Sequence, residues 1–180
     1  MSTTLLTQAQ YEALKKKLHH AHDKIWKIIF SSPSAFREYV EKVILPQLPN
    51  VSFDLDHLVL DNTSYVNQRL EPFYSDLVYW TTMTDQNGTK KPIKIALLLE
   101  HKSKMPSQLL MRLQLLEYIV ALKIRNYDED TDETLFVLPN VFNQFDKDWA
   151  LKPFRSLYAD LSPFMKGFIP EFGALVTNLQ

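Results

Sequence analysis

The chain has 180 residues, of which 46% are hydrophobic and 23% charged, and its formal net charge is -1. This composition predicts one globular domain over residues 1–180 and excludes a largely disordered chain. The lack of cysteine excludes a disulfide framework and a thiolate zinc site, and the charge argues against a tight general nucleic-acid binder. No membrane span or signal peptide is recognisable, so a cytoplasmic protein without a membrane partner is expected.

Two helices are predicted near the start of the chain. The first begins near Thr7 and carries an apolar stripe of Leu14, Leu18, Ile25 and Ile29, with His22 in the same stripe. Ser32 and Pro33 indicate the cap and first turn of a second helix, which Pro46 helps to end. Its predicted apolar face comprises Phe36, Tyr39, Val40, Val43 and Ile44.

A β-hairpin is predicted next. Its strands are Tyr74–Met83, rich in β-branched and aromatic residues, and Ile93–His101, which begins with a nearly continuous apolar run. The turn signal between them is Asp85-Gln-Asn-Gly88, because Asn-Gly adopts positive φ at little cost. A third helix is predicted from just after Pro106 to about Arg125, followed by an acidic loop and a strand at 135–138. Its predicted core stripe is Leu109, Leu113, Leu116 and Val120.

Two carboxylates and an amine are predicted to converge on this hairpin. Glu100 and Lys102 are two residues apart, so both side chains leave the same face of their strand, and Asp76 lies near the start of the partner strand. Carboxylates about 4–6 Å apart can share a magnesium ion, whose preferred ligands are hard oxygens. The ion polarises a phosphate and lowers the pKa of a bound water, while an amine can orient that water or stabilise phosphate charge. This set suits phosphodiester hydrolysis.

The same segment resembles the PD-(D/E)XK nuclease superfamily, and a wider match points to one family in it. His22-Asp-Lys24, Tyr74-Ser-Asp-Leu77 and Leu99-Glu-His-Lys-Ser103 are similar to "HDKxxK", "YSDLLY" and "IEHQS" of the Rpn recombination-promoting nucleases, also described as transposase-like. Leu113–Tyr118 and Leu138–Phe142 are similar to its "FRLLRY" and "IPIVF". The resemblance runs in order over about residues 22–160 and covers most of the chain.

The resemblance implies an α/β, restriction-endonuclease-like fold, with a mixed β-sheet flanked by helices. It implies Mg²⁺-dependent cleavage of DNA linked to recombination or mobile elements, with Mn²⁺ able to substitute. Asp76 and Glu100 would be metal ligands, joined by the backbone carbonyl of His101. Lys102, where this family often has glutamine and the wider superfamily has lysine, would be the catalytic amine. Three further residues are candidates for DNA contact or site support: His22, Lys24 and Gln114.

This sequence departs from the family's motifs at several positions. Phe142-Asn-Gln-Phe145 lacks the glycine of the family's "FYNG" turn, and Glu117 stands where arginine is common. Many relatives also continue much further. If that additional part helps to bind DNA or to dimerise, this chain would have the catalytic core without full function. A homodimer is expected on the ground that one such site cuts one strand of DNA.

The length of the hairpin loop provides a geometric test. A two-residue Asn87-Gly88 turn would pair Gln86 with Thr89 and set Asp76 opposite Leu99, on the face away from Glu100. Catalysis therefore requires an odd-length loop or a bulge, and Pro92, which cannot donate to a ladder, favours a longer loop.

Non-catalytic roles of the candidate site residues remain open. Asp76 could be a solvated strand-end charge, and Glu100 with Lys102 a surface pair of little energetic value. His22 could be a histidine at the edge of the core. The leading function is a metal-dependent DNA endonuclease. Its rivals are a catalytically inactive nuclease-like interaction module and a hydrolase of another phosphate ester.

Overall fold

The structure, a computed structural model, describes residues 25–61, 77–100, 107–132, 134–143 and 149–178, with only the backbone at positions 96–100. Its described part contains a sheet of six strands. They are β1 (Ser52–Phe53), β2 (Val59–Leu60), β3 (Leu77–Thr84), β4 (Lys90–Glu100), β5 (Phe136–Asn143) and β6 (Leu175–Asn178). Residues 25–30 are helical, and the helices that follow are α1 (Pro33–Tyr39), α2 (Gln108–Arg125) and the single-turn α3 (Pro163–Lys166).

The sheet is mixed, with the predicted hairpin at its centre. Its order is β1–β3–β4–β5–β6, and β2 also pairs with β3. β1, β2 and β4 all run antiparallel to β3, whereas β4, β5 and β6 run parallel to one another. The parallel strands are joined through helical or longer connections, as their geometry requires. The carboxyl ends of β4, β5 and β6 therefore meet at one edge of the sheet.

α1 covers one face of the sheet, and its predicted apolar face is confirmed. Phe36, Val40 and Ile44 are fully buried, and the Phe36 ring stacks on Tyr79 of β3 at 3.9 Å between centroids. Ser32 occupies the N-cap, although its hydroxyl bonds to Ser34 rather than capping the helix. After Tyr39 the chain continues through a π turn, and a 3₁₀ turn at 45–47 contains Pro46. Proline has no N–H for a regular helical bond, which accounts for that ending.

α2 covers the opposite face and corrects one prediction. The buried apolar side chains of α2 are Met111, Leu115, Tyr118, Ile119 and Leu122. The predicted stripe was wrong as a core stripe, since Leu109, Leu113 and Val120 are 41%, 47% and 42% exposed and Leu116 is only half-buried. α2 is apolar on two sides, so periodicity alone could not tell which side packs on the sheet.

The first predicted helix is described only in its last turn. Its start at Thr7 and the residues Leu14, Leu18 and His22 lie outside the described residues, whereas residues 25–30 are helical. The stripe was wrong here too, because Ile25 and Ile29 are 52% and 40% exposed. Trp26 and Phe30 pack on the core instead, each with its ring against Phe142 of β5. Aromatic rings bury more area than isoleucine, which favours this rotation of the helix.

The fold class predicted from the sequence is confirmed. Helices lie on both faces of a mixed sheet, consistent with the expected restriction-endonuclease-like arrangement. The predicted hairpin is present, although β4 begins three residues before Ile93. The last predicted strand is twice as long as expected, since β5 runs to Asn143.

Candidate active site

The hairpin loop has the odd length that catalysis requires. Thr84 pairs with Lys90, so residues 85–89 connect the strands. The Gly88 N–H donates to the Asp85 carbonyl at 3.0 Å, and the Asp85 N–H donates to the Thr89 carbonyl at 3.1 Å. Gly88 has a φ of 76°, which gives a type I turn followed by a left-handed glycine. The prediction of an odd loop is therefore confirmed.

This register fixes the backbone positions around the predicted site. At the far end of the hairpin, Leu77 pairs with Leu97, and β4 continues to Glu100, which pairs with Asn143 of β5. Glu100 is described by its backbone alone, and Asp76, His101 and Lys102 lie outside the described residues, as do His22 and Lys24. The distance of about 4–6 Å between the Asp76 and Glu100 carboxylates, which would allow one shared metal ion, stays a prediction.

Gln114 is the candidate site residue whose side chain is described. It lies on α2 and is half-buried, and its Oε1 is buried without a hydrogen-bond partner in the described structure. An unsatisfied buried amide oxygen is costly, and such a group calls for an explanation such as a bound ion or donor. Its four-residue spacing to the buried Tyr118 keeps both near the inner side of α2. Gln114 therefore faces the packed interior beneath α2.

A second carboxylate–amine pair was missed by the sequence interpretation. The Nζ of Lys94 on β4 lies 2.7 Å from Oδ2 of Asp61, and their side chains are 2% and 7% exposed. Trp80, directly opposite Lys94 in the hairpin, donates its Nε1–H to Asp61 at 3.1 Å, and Lys94 Nζ lies 4.0 Å from the centroid of its ring. Burial lowers the pKa of Lys94, and the hydrogen bond to Asp61 opposes that shift. The sequence feature that could have revealed this pair is a lysine, Lys94, within the apolar run of β4.

Asparagine side chains lie where the parallel strands end. Asn143, next to Glu100 in register, is 1% exposed and donates through Nδ2 to Oδ1 of Asn178 on β6. Asn178 also accepts from the Trp149 N–H at 3.0 Å and donates to the Trp149 carbonyl at 3.1 Å. These bonds hold the chain after β5 against the end of β6. The region beside Glu100 is therefore a fixed polar edge, a feature that the family resemblance did not reveal.

A cleft of about 490 Å³ opens at the other end of β4. It is lined by Lys90, Lys91, Pro92, Lys123, Thr134 and Phe136. β4 rises by about 3.3 Å per residue, so this cleft is roughly 30 Å from Glu100. The cleft is therefore separate from the predicted site at the Glu100 end.

Within the described ranges, no three His, Asp or Glu side chains form a cluster able to hold a metal ion. Because Asp76 and His101 fall outside those ranges, the magnesium site stays a prediction. Among the same residues, no helix is long and apolar enough to cross a bilayer.

Comparison with known proteins identifies the family to which this chain belongs. The family model described as "Putative transposase, YhgA-like" matches residues 20–179, and the chain therefore belongs to this family. Its curated relatives are Rpn proteins, in agreement with the resemblance noted from the sequence. No solved structure matches the chain.

Three of these relatives come from Escherichia coli. The chain is 27% identical over 121 residues to the inactive recombination-promoting nuclease-like protein RpnE of strain K12, covering 67% of this chain and 38% of that protein. It is 27% identical over 122 residues to the recombination-promoting nuclease RpnD of O157:H7, covering 67% and 44%. It is 27% identical over 128 residues to the recombination-promoting nuclease RpnA of K12, covering 71% and 41%. The chain thus spans about two fifths of the length of these relatives.

Proposed function

We propose that this chain is the catalytic core of a magnesium-dependent endonuclease that hydrolyses phosphodiester bonds in DNA, linked to recombination or mobile elements. Its catalytic residues are Asp76, Glu100 and Lys102. The observation that carries the proposal is the hairpin register, in which the odd loop pairs Thr84 with Lys90 and Leu77 with Leu97. Two of the relatives, RpnA and RpnD, are named nucleases, which supports the same chemistry.

The register supports the proposal through strand alternation. An extension of the Leu77–Leu97 pairing by one residue would set position 76 opposite position 98. Positions 98 and 100 share one side of β4, because alternate residues of a strand point the same way. Asp76 would then lie on the same side as Glu100. A loop one residue shorter or longer would have separated them.

The residues at this end of β4 suit a hard cation. Asp76 and Glu100 would hold Mg²⁺ with the backbone carbonyl of His101, and Mn²⁺, which also accepts oxygen ligands, is expected to substitute. A bound magnesium ion supplies Lewis-acid polarisation of the phosphate and a more acidic water. Lys102 would orient the attacking water through its ammonium and stabilise the negative charge that develops on the phosphate.

Three residues are proposed to support the site or to contact DNA. Gln114 has a buried Oε1 without a partner in the described structure, so it can accept a bond from a residue or ligand of the site. Lys24 would contact a phosphate of the DNA backbone, and His22 would support the site or the DNA contact. The fixed edge at Asn143 and Asn178 would hold the end of β4 in place during turnover.

The test is cleavage of supercoiled plasmid by the purified chain in Mg²⁺ or Mn²⁺, with EDTA as the metal-free control. Nicking by the wild type and its loss in both Asp76→Ala and Lys102→Ala support the proposal. Equal nicking by all three proteins would show a contaminating nuclease and reject it. Thermal melting of each variant confirms that the loss is not unfolding.

A catalytically inactive interaction module is the second candidate. It is favoured by the relative RpnE, whose name describes it as inactive, and by the exposed apolar residues on the outer side of α2. A folded wild type that cleaves neither supercoiled nor single-stranded DNA in either metal would select this candidate. Magnesium-dependent cleavage that requires Asp76 would exclude it.

A further inference from the structure

α2 has a second apolar face that the sheet does not use. This outer seam comprises Leu109, Leu113, Leu116, Val120 and Ile124, which recur every three or four residues and so lie along one side of the helix. Four of them are 41% to 72% exposed, and Leu116 is half-buried. A helix on a protein surface normally carries polar residues on its outer side. The seam therefore has the pattern of an interface.

The exposed area is large for a single helix. With Leu110 and Tyr127, which are 49% and 48% exposed, the seam leaves on the order of 600 Å² of surface uncovered. This is at the upper end of apolar patches on monomeric proteins. It also approaches the roughly 800 Å² that each partner contributes to a stable interface. A partner helix with side chains of similar size would cover it.

We propose that the partner is α2 of a second copy of this chain, packed antiparallel through the outer seam. The seam is symmetric about the middle of α2: Leu109 and Ile124 lie equally far from it, as do Leu113 and Val120. In an antiparallel pair each of these side chains meets an apolar side chain of the other copy. A two-fold dimer requires such a self-complementary surface.

The charges on α2 favour the antiparallel direction. Its last turn contains Lys123 and Arg125, and its first turn contains no acidic residue. A parallel pair would align two helix dipoles side by side, whereas an antiparallel pair opposes them. The antiparallel pair keeps the basic turns at opposite ends of the interface. The outer seam lies within the described residues, and the proposed dimer does not depend on nuclease activity.

Sedimentation of the full chain tests the dimer. The wild type is expected to form a concentration-dependent dimer, and Val120→Lys to sediment as a folded monomer, because an ammonium would be desolvated within the seam. The matched control is Val59→Lys on β2, where the valine is 59% exposed, and this variant should remain a dimer. A wild type that is monomeric throughout, with the seam covered by another part of its own chain, would overturn the proposal. So would a Val120→Lys variant that dimerises as well as the control.

Cysteine cross-linking tests the direction, since the chain has no cysteine of its own. Leu116→Cys, next to the midpoint, should form a disulfide-linked dimer on mild oxidation. Leu109→Cys alone should not, because the two copies of position 109 would be about 20 Å apart along the helix axis, beyond the reach of a disulfide. The double variant Leu109→Cys/Ile124→Cys should form a disulfide-linked dimer, because position 109 of one copy would face position 124 of the other. Equal cross-linking of the two single variants would indicate a parallel pair and overturn the proposed direction.

Discussion

β4 carries a charged residue at two places, Lys94 in its middle and Glu100 at its end, and the two differ in their surroundings. In the middle of the strand, Lys94 is bonded to Asp61, Trp80 lies against both, and the pair is almost completely buried. At the end of the strand, Glu100 stands at the edge where the parallel strands stop, beside the polar side chain of Asn143. The first place is closed to a substrate, and the second lies at the boundary of the sheet.

A lysine near a carboxylate is therefore not by itself a catalytic pattern. A buried pair whose bonds are satisfied fixes the chain around it, and here it ties the residue after β2 to the hairpin. Substrate binding needs open space and charges that are not already neutralised. Such sites are expected at strand ends, where loops meet the rigid sheet.

The largest expected effect is on stability, at the closed pair. Asp61→Ala should lower the free energy of unfolding by about 3–5 kcal/mol, because it leaves the Lys94 ammonium buried without its carboxylate. Urea denaturation measures this loss. The matched control is Asp56→Ala, which breaks an exposed ion pair with Arg37 and should leave the midpoint unchanged. Equal midpoints for the two variants would show that the Lys94 pair does not hold the fold.

An intermediate loss of stability is expected at alkaline pH, from two buried tyrosines on the side of the sheet that α1 covers. Burial raises the pKa of Tyr79 and of Tyr39 to about 12, above the value of about 10 in an unfolded chain. Both phenols are neutral in the fold, so their contribution is complete below pH 10 and is lost as the pH rises towards 12. Between pH 10 and pH 12, each tyrosine should lower the free energy of unfolding by at most about 3 kcal/mol. Tyr79→Phe should flatten this alkaline loss, and an unchanged pH profile would contradict the assignment.

The smallest expected effect is at the hairpin loop that sets the register. Gly88→Ala should cost about 1 kcal/mol, because alanine is strained at a φ of 76°. Gly173→Ala is the control, since its added Cβ would meet open space and its backbone is not left-handed. Equal melting temperatures for the two variants would contradict the loop geometry.

Much of the fold could be predicted from local patterns. The Asn-Gly turn signal and the two apolar strands predicted the hairpin, and the requirement for an odd loop predicted its register. The length of β5 could not be predicted, because Pro139 and Asn140 within it are residues typical of turns. Here the parallel neighbours β4 and β6 hold them in a strand.

Which side chains are buried was harder to predict from the sequence than where the strands and helices lie. A helix that is apolar on two sides, as α2 is, gives no periodic signal for which side is buried, so Leu113 was assigned to the core in place of Leu115. The pair of Lys94 with Asp61 joins residues that are far apart in sequence, and no local pattern predicts such a contact. The candidate site was predicted from the family resemblance more than from physics, since its charges could equally have been a solvated surface pair.

Plasmid nicking by two matched asparagine variants tests the central claim most directly. Asp76→Asn should lower the magnesium-dependent rate by roughly two orders of magnitude or more while leaving the melting temperature unchanged. Asp61→Asn should melt earlier but, at a temperature where it is folded, should nick at nearly the wild-type rate. The reverse pattern, or equal rates in both variants, would contradict the placement of catalysis at the end of β4.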